Sequence, residues 1–279
     1  MLQKENSLFK QRSNIKPVSI GASKKFSTHN SIHSWLINVT KDRLYEDAHE
    51  IIADFVFNER VARVFPDMIN RSVPGYATII NMIGTLAAQY IKPNSNCYDL
   101  GCSLGAATMA IRCAAEDRDF HLVAVDNSPA MLSQAKHRLA EQDGGPTVEL
   151  ICADIRDIQI HLASMVVLNF TLQFVPAAHR LTLLTDIYEG MLPGGLLLLS
   201  EKIALPNDVA QRLFIEMHHG FKKAQGYSEL EISQKRTALE EVLIPETLAC
   251  HKERLQKVGF STVEVWFQCF NFISLLAIK

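Results

Sequence analysis

The chain has 279 residues, a formal net charge of −2, and a composition that is 48% hydrophobic and 21% charged. This composition is typical of a globular protein with a sizeable core, and the near-neutral charge gives no support for general attraction to nucleic acid. No apolar run reaches the ~18 residues that a membrane span requires, and no signal-peptide pattern is present. The six cysteines include no Cys-x-x-Cys pair, which favours free thiols in a reducing cytoplasm over disulfides or a zinc site.

Residues 1–38 differ in composition from the rest of the chain. Six lysine and arginine residues accompany a single acidic residue, Glu5, among scattered serine and asparagine. This pattern predicts a basic, disordered extension. Three interpretations of this extension are open. It has no role, it contacts RNA, or translation starts after it, at Val39. We predict one α/β domain over residues 39–279.

Helices are predicted to cover part of this domain over residues 55–91. A short helix over 58–65 is expected to stop at Pro66 and to resume over 67–71, because proline lacks the N–H that a helix interior needs. A strongly apolar helix is expected over 76–90. Since these helices precede a glycine-rich turn, we expect them to cover a ligand crevice or one end of a sheet.

The glycine-rich turn lies within residues 97–105, Cys-Tyr-Asp-Leu-Gly-Cys-Ser-Leu-Gly. Apolar residues run into Asp99, and small residues then alternate from Gly101 to Gly105 before an alanine-rich helix. Small residues allow the backbone to approach a ligand closely, and a helix N-terminus presents free N–H groups. A second apolar strand ends in Asp126, about 20 residues further on, where an open parallel sheet holds ribose hydroxyls.

Strands and helices alternate from this turn onwards. Ser128 followed by Pro129 is a strong helix start, and Gly190 is expected to close a later helix. Repeated strand–helix units of this length predict a parallel sheet with right-handed crossovers. The predicted strands are 97–101, 120–126, 147–151, 164–170 and 196–200.

The last part of the chain breaks the alternation. Three helices follow one another, and together they form a second helical cover over 207–258; they are predicted over 207–223, 229–243 and 246–258. Ser228 and Glu231 form a capping box at the start of the middle helix. Two final strands, 261–267 and 270–278, lie so close in sequence that they must form an antiparallel hairpin.

We therefore predict a seven-stranded, mostly parallel sheet, with five parallel strands and a C-terminal antiparallel hairpin, flanked by helices. This layout resembles the Rossmann-like fold of the class I S-adenosyl-L-methionine (SAM) dependent methyltransferases. Ordinary dinucleotide-binding domains carry a sixth parallel strand instead of the hairpin.

Polar residues at the carboxyl ends of the strands are the first candidates for a site, because ligands of open α/β sheets bind there. We expect Asp126 to bind the ribose hydroxyls and Asp154 to accept from the adenine amino group, with Ile155 packing on the ring. Asn169 is expected to meet the methionine end. A capping or turn-forming role is the alternative for each polar side chain.

Cationic residues are the second group of candidates, because the sheet and the glycine turn do not specify a second substrate. They are Arg71, Lys202 and Arg236, although a solvated surface arginine is the commoner outcome of such a pattern. His218 and His219 are adjacent on a helix and point about 100° apart, so at least one serves packing or lies on the surface. No Ser-His-Asp set, phosphate-binding loop or metal-ligand spacing appears, and we predict no metal.

Six stretches of the chain resemble one family, the carboxy-S-adenosyl-L-methionine synthases of bacterial tRNA wobble-uridine modification. The glycine turn marks only the superfamily, whereas the other stretches are not needed to form the sheet and are more specific. The resemblance extends from about Phe55 to the C-terminus, so the extension over 1–38 departs from it. The stretches are Phe65–Tyr76, Tyr98–Ala107, Asp126–Met131, Ala163–Phe174, Gly226–Arg236 and Trp266–Phe272.

The resemblance implies that SAM and prephenate are converted to carboxy-SAM and phenylpyruvate. In the family's mechanism prephenate aromatises as it loses carbon dioxide and hydroxide, the hydroxide removes a proton from the sulfonium methyl, and the ylide captures the carbon dioxide. Arg236 is implied to meet the new carboxylate. Residues implied to bind SAM are Tyr76, Gly101, Cys102, Ser103, Asp126, Asn127, Asp154, Ile155 and Asn169.

The resemblance further implies a homodimer and a functional link to a tRNA carboxymethyltransferase, without stable nucleic-acid binding or membrane association. One alternative is an ordinary SAM-dependent methyltransferase acting on tRNA or a small molecule. Another is a SAM-binding regulator without activity, although the intact Asp99, Gly101, Gly105 and Asp126 speak against a dead pocket. A cation facing the methyl group would repel a sulfonium but suit a carboxylated product, which favours the synthase.

Overall fold

The computed structural model describes residues 40–48, 52–142 and 144–279. The extension predicted over 1–38 lies outside these residues. Within the described ranges, no helix combines the length and the apolar character that crossing a bilayer requires.

A single sheet of seven strands organises the fold, in the order β3-β2-β1-β4-β5-β7-β6. Strands β1 to β5 are parallel, and β7 pairs antiparallel with both β5 and β6. The predicted architecture is therefore confirmed. The strands are β1 (Asn96–Leu100), β2 (His121–Asp126), β3 (Val148–Cys152), β4 (Ala163–Asn169), β5 (Met191–Lys202), β6 (Thr262–Cys269) and β7 (Phe272–Ile278).

Eight α-helices accompany the sheet in the described part of the chain. They are α1 (Glu59–Ser72), α2 (Tyr76–Tyr90), α3 (Ala106–Ala114), α4 (Pro129–Ala140), α5 (Ala177–Gly190), α6 (Asp208–Ala224), α7 (Glu229–Leu239) and α8 (Leu248–Val258). Helices α2 and α3 cover one face of the sheet, and α5 and α8 cover the other. The central strands are consequently buried on both faces, which explains their continuous apolar sequences.

Helix α1 differs from its prediction because it runs unbroken through Pro66. Asn58 caps its start, where the side-chain Oδ1 accepts from the N–H groups of Arg60 and Val61 at 3.0 and 3.1 Å. Proline removes one backbone hydrogen bond, a cost that burial of an apolar helix face can offset. Val61 and Met68 lie on that buried face.

The bounds of two elements in the C-terminal half also differ from the prediction. Strand β5 begins at Met191 instead of residue 196 and runs on to Lys202 instead of ending at Ser200, and α7 ends at Leu239 instead of residue 243. The chain leaves α7 early because Ile244 is held elsewhere, its N–H donating to the Gln173 carbonyl at 3.0 Å. The longer β5 carries Lys202 to the edge of the sheet where the strand ends converge.

Candidate functional site

A cavity of about 890 Å³ opens at the carboxyl ends of the parallel strands, beside the reversal of strand order between β1 and β4. This volume is typical of a small-molecule site. Arg236 is exposed and is not among the lining residues. The other predicted site residues all line the cavity: Tyr76, Gly101, Cys102, Ser103, Asp126, Asn127, Asp154, Ile155 and Asn169.

The glycine turn has a backbone conformation that few side chains permit. Gly101, Ser103 and Gly105 have φ angles of 81°, 52° and 80°. A Cβ atom on Gly101 would lie 2.4 Å from the Thr171 Oγ1, far inside van der Waals contact. The turn therefore brings backbone without side chains to the cavity wall. Gly105 is the N-cap of α3, so the free N–H groups at the start of this helix lie next to the turn.

Asp126 joins this turn to the loop after β2. Its Oδ2 accepts from the Ser103 N–H at 2.8 Å, and its Oδ1 accepts from the Ser128 N–H at 2.9 Å. Burial raises the pKa of Asp126, while the two backbone hydrogen bonds oppose that rise. Each carboxylate oxygen keeps a further lone pair, so the turn-forming role and the binding of ribose hydroxyls are compatible.

Asp154 caps the short helical turn over Ile155–Asp157. The sequence analysis gave such a capping role as the alternative to adenine binding. Its oxygens accept from the Arg156 N–H and Nε at 2.9 Å and from Nη2 at 2.6 Å. These hydrogen bonds hold the pKa of Asp154 below its usual value. An adenine amino group would share this carboxylate with Arg156, which also lines the cavity, while the buried Ile155 presents an apolar surface.

The end of β4 presents an unsatisfied acceptor. The Asn169 Oδ1 is buried and has no hydrogen-bond partner among the described residues. Such an atom costs free energy unless a ligand satisfies it, and an ammonium group would do so. The next residue, Phe170, has a left-handed φ of 61°, so the chain turns sharply into the cavity wall.

Asp99 lies beneath the glycine turn, 1% exposed, and accepts from the Thr108 hydroxyl at 2.5 Å. Burial raises its pKa to about 6. With Asp126 it makes the glycine-turn side of the cavity acidic, which suits a cationic sulfonium nucleoside.

A row of aromatic rings extends from the glycine-turn side of the cavity to a group of basic side chains. The ring of Tyr76 lies 6.5 Å from that of Phe170, Phe170 lies 6.1 Å from Phe272, and Phe272 lies 4.8 Å from the imidazole of His218. All four residues line the cavity. They form an apolar wall that ends beside a group of basic side chains.

Three lysines line this basic side: Lys202 at the end of β5, Lys222 on α6 and Lys235 on α7. Burial lowers the pKa of all three, to about 7 for Lys222 and about 8 for Lys235. The charges of Lys235 and Lys202 further lower the pKa of Lys222. We call this group the lysine cluster.

The lysine cluster is only partly neutralised. Lys235 donates to the Ser72 Oγ at 3.0 Å, and its Nζ lies 3.6 Å from the Asp42 Oδ2. Tyr227 donates to the same Asp42 oxygen at 2.6 Å. The Nζ of Lys222 has no polar partner among the described residues, so this side of the cavity attracts anions.

Comparisons with known proteins identify the family. Residues 98–195 match a methyltransferase domain model. The carboxy-S-adenosyl-L-methionine synthase of Geobacter sp. (strain M21) is 58% identical over 240 residues, which cover 85% of this chain and 98% of that protein. The chain belongs to the carboxy-S-adenosyl-L-methionine synthase family. The synthase of Shewanella sp. (strain ANA-3) is 55% identical over 243 residues, which cover 87% of this chain and all of that protein.

The fold agrees with membership of this SAM-using family. Magnesium protoporphyrin IX methyltransferase from Synechocystis PCC 6803, solved with bound SAM, is 14% identical and superposes with a TM-score of 0.50 over 85% of this chain and 88% of that chain. At this identity the likeness concerns the fold alone. The carboxy-SAM synthase family thus uses the sheet and glycine turn of the class I methyltransferases.

Of the three cations predicted from the sequence, only Lys202 lines the cavity of this carboxy-SAM synthase. Arg71 is buried elsewhere: it pairs with Asp67 at 3.0 Å and stacks on the Tyr227 ring at 3.8 Å. Arg236 lies near His219, and its charge helps to lower the pKa of that half-buried histidine. Arg236 therefore lies outside the basic side of the cavity in its own chain.

Sequence reasoning missed Lys222 and Lys235. Lys235 directly precedes Arg236, and neighbouring helix residues point about 100° apart. The sequence analysis selected Arg236, which is exposed, instead of Lys235, which is buried. A usable signal lay on α6, where His218 and Lys222 are four residues apart and are the two buried side chains. The imidazole of His218 lies 2.8 Å from the Ser72 carbonyl, and burial lowers its pKa to about 3, so it donates as a neutral ring.

Proposed function

We propose that this carboxy-SAM synthase converts SAM and prephenate to carboxy-SAM and phenylpyruvate, and that its product supplies the carboxymethyl group for 5-oxyacetyl-uridine at the tRNA wobble position. One observation carries the proposal: the SAM-type strand ends and the lysine cluster share one cavity. A methyl-donor site has no use for cations that repel its sulfonium. A dianionic second substrate and a carboxylated product both need them.

SAM would occupy the strand ends. Asp126 would hold the ribose hydroxyls, Ile155 would pack on the adenine, and Asp154 would accept from its amino group. The unsatisfied Oδ1 of Asn169 supports contact with the methionine ammonium. We place the ring of Tyr76 beside the sulfonium. Burial raises the pKa of its phenol, so the ring stays neutral.

The reaction needs a base, a one-carbon acceptor and a dry site. Prephenate aromatises, its ring carboxylate leaving as carbon dioxide and its ring hydroxyl as hydroxide. The hydroxide takes a proton from the sulfonium methyl to give water, and the ylide carbon bonds to carbon dioxide. The chain would orient both substrates, hold the carboxylates with the lysine cluster, and exclude water with the wall of Tyr76, Phe170 and Phe272.

A role for Arg236 at the product carboxylate requires a second copy of the chain, since this side chain is exposed outside its own cavity. We accordingly propose a homodimer in which Arg236 of one copy reaches the site of the other. An exposed apolar stripe on α6 supports such an interface: Val209, Leu213 and Met217 follow one another at four-residue spacing and are 65%, 51% and 41% exposed.

Mass spectrometry of the nucleoside products tests the proposal. With SAM and prephenate, we expect a product heavier than SAM by one carbon dioxide, formed only when prephenate is present, together with phenylpyruvate. Methylated tRNA or methylated small molecules without that product would instead indicate an ordinary methyltransferase.

Substituting a lysine separates the two ends of the cavity. Lys202→Met should retain SAM binding, because Lys202 lies away from the glycine turn, but should reduce turnover about 10- to 100-fold through loss of one carboxylate contact. The matched control is Lys223→Met, which removes an exposed lysine paired with Glu229 on the surface and should retain activity.

A further inference from the structure

Lys222 has surroundings that the proposed function does not fully explain. The residue lines the cavity and is buried, 8% exposed, and its Nζ has no hydrogen bond or ion pair to any described residue. The cations of Lys202 and Lys235 lie close enough to disfavour its own charge. A buried ammonium held among like charges is costly, so this amine is neutral far more readily than an ordinary lysine. A neutral primary amine in an enclosed site is a nucleophile.

We propose that the Nζ of Lys222 reversibly binds carbon dioxide as a carbamate. The nitrogen lone pair forms a bond to the carbon of carbon dioxide, and one C=O π pair moves onto oxygen. The nitrogen then releases one proton to solvent, which leaves an N-carboxylate anion on the side chain. Reversal returns the proton, the free amine and carbon dioxide, so no oxidant or reductant is needed.

The charges of the cluster favour this product. Lys202, Lys222 and Lys235 line one cavity, and the charges of Lys202 and Lys235 lower the pKa of Lys222. The same two charges would stabilise an anion on the Lys222 side chain instead of repelling an ammonium.

The other two lysines are less suited to react. Lys235 is held by the Ser72 hydroxyl and by Asp42, and this carboxylate favours its charged form. Lys202 lies at the end of β5, and burial alone lowers its pKa, without a contribution from the other two lysines. His218, which faces Lys222 from one turn earlier on α6, is neutral and donates to the Ser72 carbonyl, so it supplies no competing charge.

The carbamate does not depend on the proposed function. The carbamate itself requires only the enzyme and carbon dioxide, so it can be measured without either substrate.

Carbon-13 NMR of the full chain equilibrated with ¹³C-labelled bicarbonate and carbon dioxide tests the inference. We expect a carbamate resonance in the wild type that is stoichiometric with protein, is missing from Lys222→Arg, and persists in the matched variant Lys223→Arg. Carbamates on the α-amino group and on lysines other than 222 and 223 are common to all three proteins and cancel in the difference spectra, and any carbamate on the exposed Lys223 is lost only from Lys223→Arg. Unlabelled phenylpyruvate, as an occupant of the cavity, should reduce the Lys222 resonance in the wild type.

The outcomes are decisive in both directions. Equal spectra for wild type and Lys222→Arg, when both bind SAM with the same affinity, would overturn the inference. If Lys222→Arg fails to fold, the effect of phenylpyruvate on the carbamate resonance of the wild type decides. A spectrum that phenylpyruvate leaves unchanged counts against the carbamate.

The inference and the proposed function fail separately. An enzyme that makes carboxy-SAM without a Lys222 carbamate refutes the inference alone, and one that forms the carbamate without making carboxy-SAM refutes the proposed function alone.

Discussion

At Gly101 the backbone and the ligand impose the same requirement on one residue. Its φ of 81° favours glycine, and the Thr171 side chain occupies the space that a Cβ would need. Both constraints come from the fold, and both would serve the proposed site, because a turn without side chains would let SAM approach the N–H groups at the start of α3.

Gly101→Ala should lower the free energy of unfolding by about 2 to 4 kcal/mol, from left-handed strain and from overpacking against Thr171. SAM affinity should fall as well, because the turn must shift. Urea unfolding and calorimetric titration measure both quantities. The control is Gly144→Ala, where φ is 83° but no atom of the described residues, apart from the chain neighbours, lies within 4 Å of the added Cβ. Its cost should be about 1 kcal/mol, from strain alone. Equal losses in the two variants would show that the contact with Thr171 does not matter.

Asn169→Ala tests the unsatisfied acceptor at the end of β4. We expect SAM affinity to fall about 10- to 100-fold, since a hydrogen bond to a charged group is lost. The free energy of unfolding of the unliganded protein should change by less than about 1 kcal/mol, because Oδ1 has no partner to lose. In Asn70→Ala, by contrast, the lost bond is to the Pro66 carbonyl and only stability should decrease. Unchanged SAM affinity in Asn169→Ala would remove this residue from the site.

At the scale of elements, α6 links the helical cover to the lysine cluster. His218 joins it to the end of α1 through the Ser72 carbonyl, and the same Ser72 accepts from Lys235 of α7 through its hydroxyl. Ser72 is thereby a shared partner of both helices, on the faces that carry the buried Lys222 and Lys235. The neighbouring Lys223 and Arg236 are exposed.

His218→Gln should make the protein less sensitive to acid. Burial lowers the folded-state pKa of His218 to about 3 from a value near 6.5 in the unfolded chain. A group with a depressed folded pKa contributes stability above the unfolded pKa, and this contribution is lost as the pH falls through that window. The loss should amount to about 4 to 5 kcal/mol between pH 6.5 and 3.

Glutamine can still donate to Ser72 but does not titrate, so the difference in unfolding free energy between wild type and variant should depend on pH. Denaturant titrations across this range measure it. The control is the exposed His179→Gln, which removes an imidazole without touching the Ser72 contact. If the His218→Gln curve runs parallel to that of the wild type, the imidazole is not held neutral by the fold.

Sequence patterns could predict most of these elements because their signals are local. Both hydrogen bonds of the capping box at α7 are present. The Ser228 Oγ accepts from the Glu231 N–H at 3.2 Å, and the Glu231 Oε2 accepts from the Ser228 N–H at 2.7 Å. The prediction was wrong where distant contacts decide, at Pro66 within α1 and at the end of α7. At both points burial or a hydrogen bond from another part of the chain outweighs a local preference.

At the scale of the whole molecule, the proposed site is complete only when Arg236 of a second copy is present. Arg236→Ala should leave SAM affinity largely intact but abolish turnover and the retention of carboxy-SAM. Calorimetry with SAM and mass analysis of the copurified nucleoside measure these effects. Equal retention of carboxy-SAM by the variant would refute the role of Arg236.

Mixing two inactive variants tests where Arg236 acts. Asp126→Ala removes the ribose contact in one chain, and Arg236→Ala removes the cation in the other. Random mixed dimers should contain about a quarter of the sites in an intact combination, so activity should recover to that level if the guanidinium acts across the interface. No recovery, despite exchange of subunits seen by native mass spectrometry, would place Arg236 within its own site or outside the reaction.

The sequence by itself determined the parallel sheet with its terminal hairpin and the residues at the strand ends that line the cavity. Strand–helix alternation and the placing of small and acidic residues are local patterns, and parallel strands bring their ends together whatever the details of packing. Only the tertiary structure decided which cations line the cavity. The inward faces of α6 and α7 contact Ser72, which lies far away in the sequence, so a periodic pattern with Lys235 beside Arg236 could not tell the buried lysine from the exposed arginine.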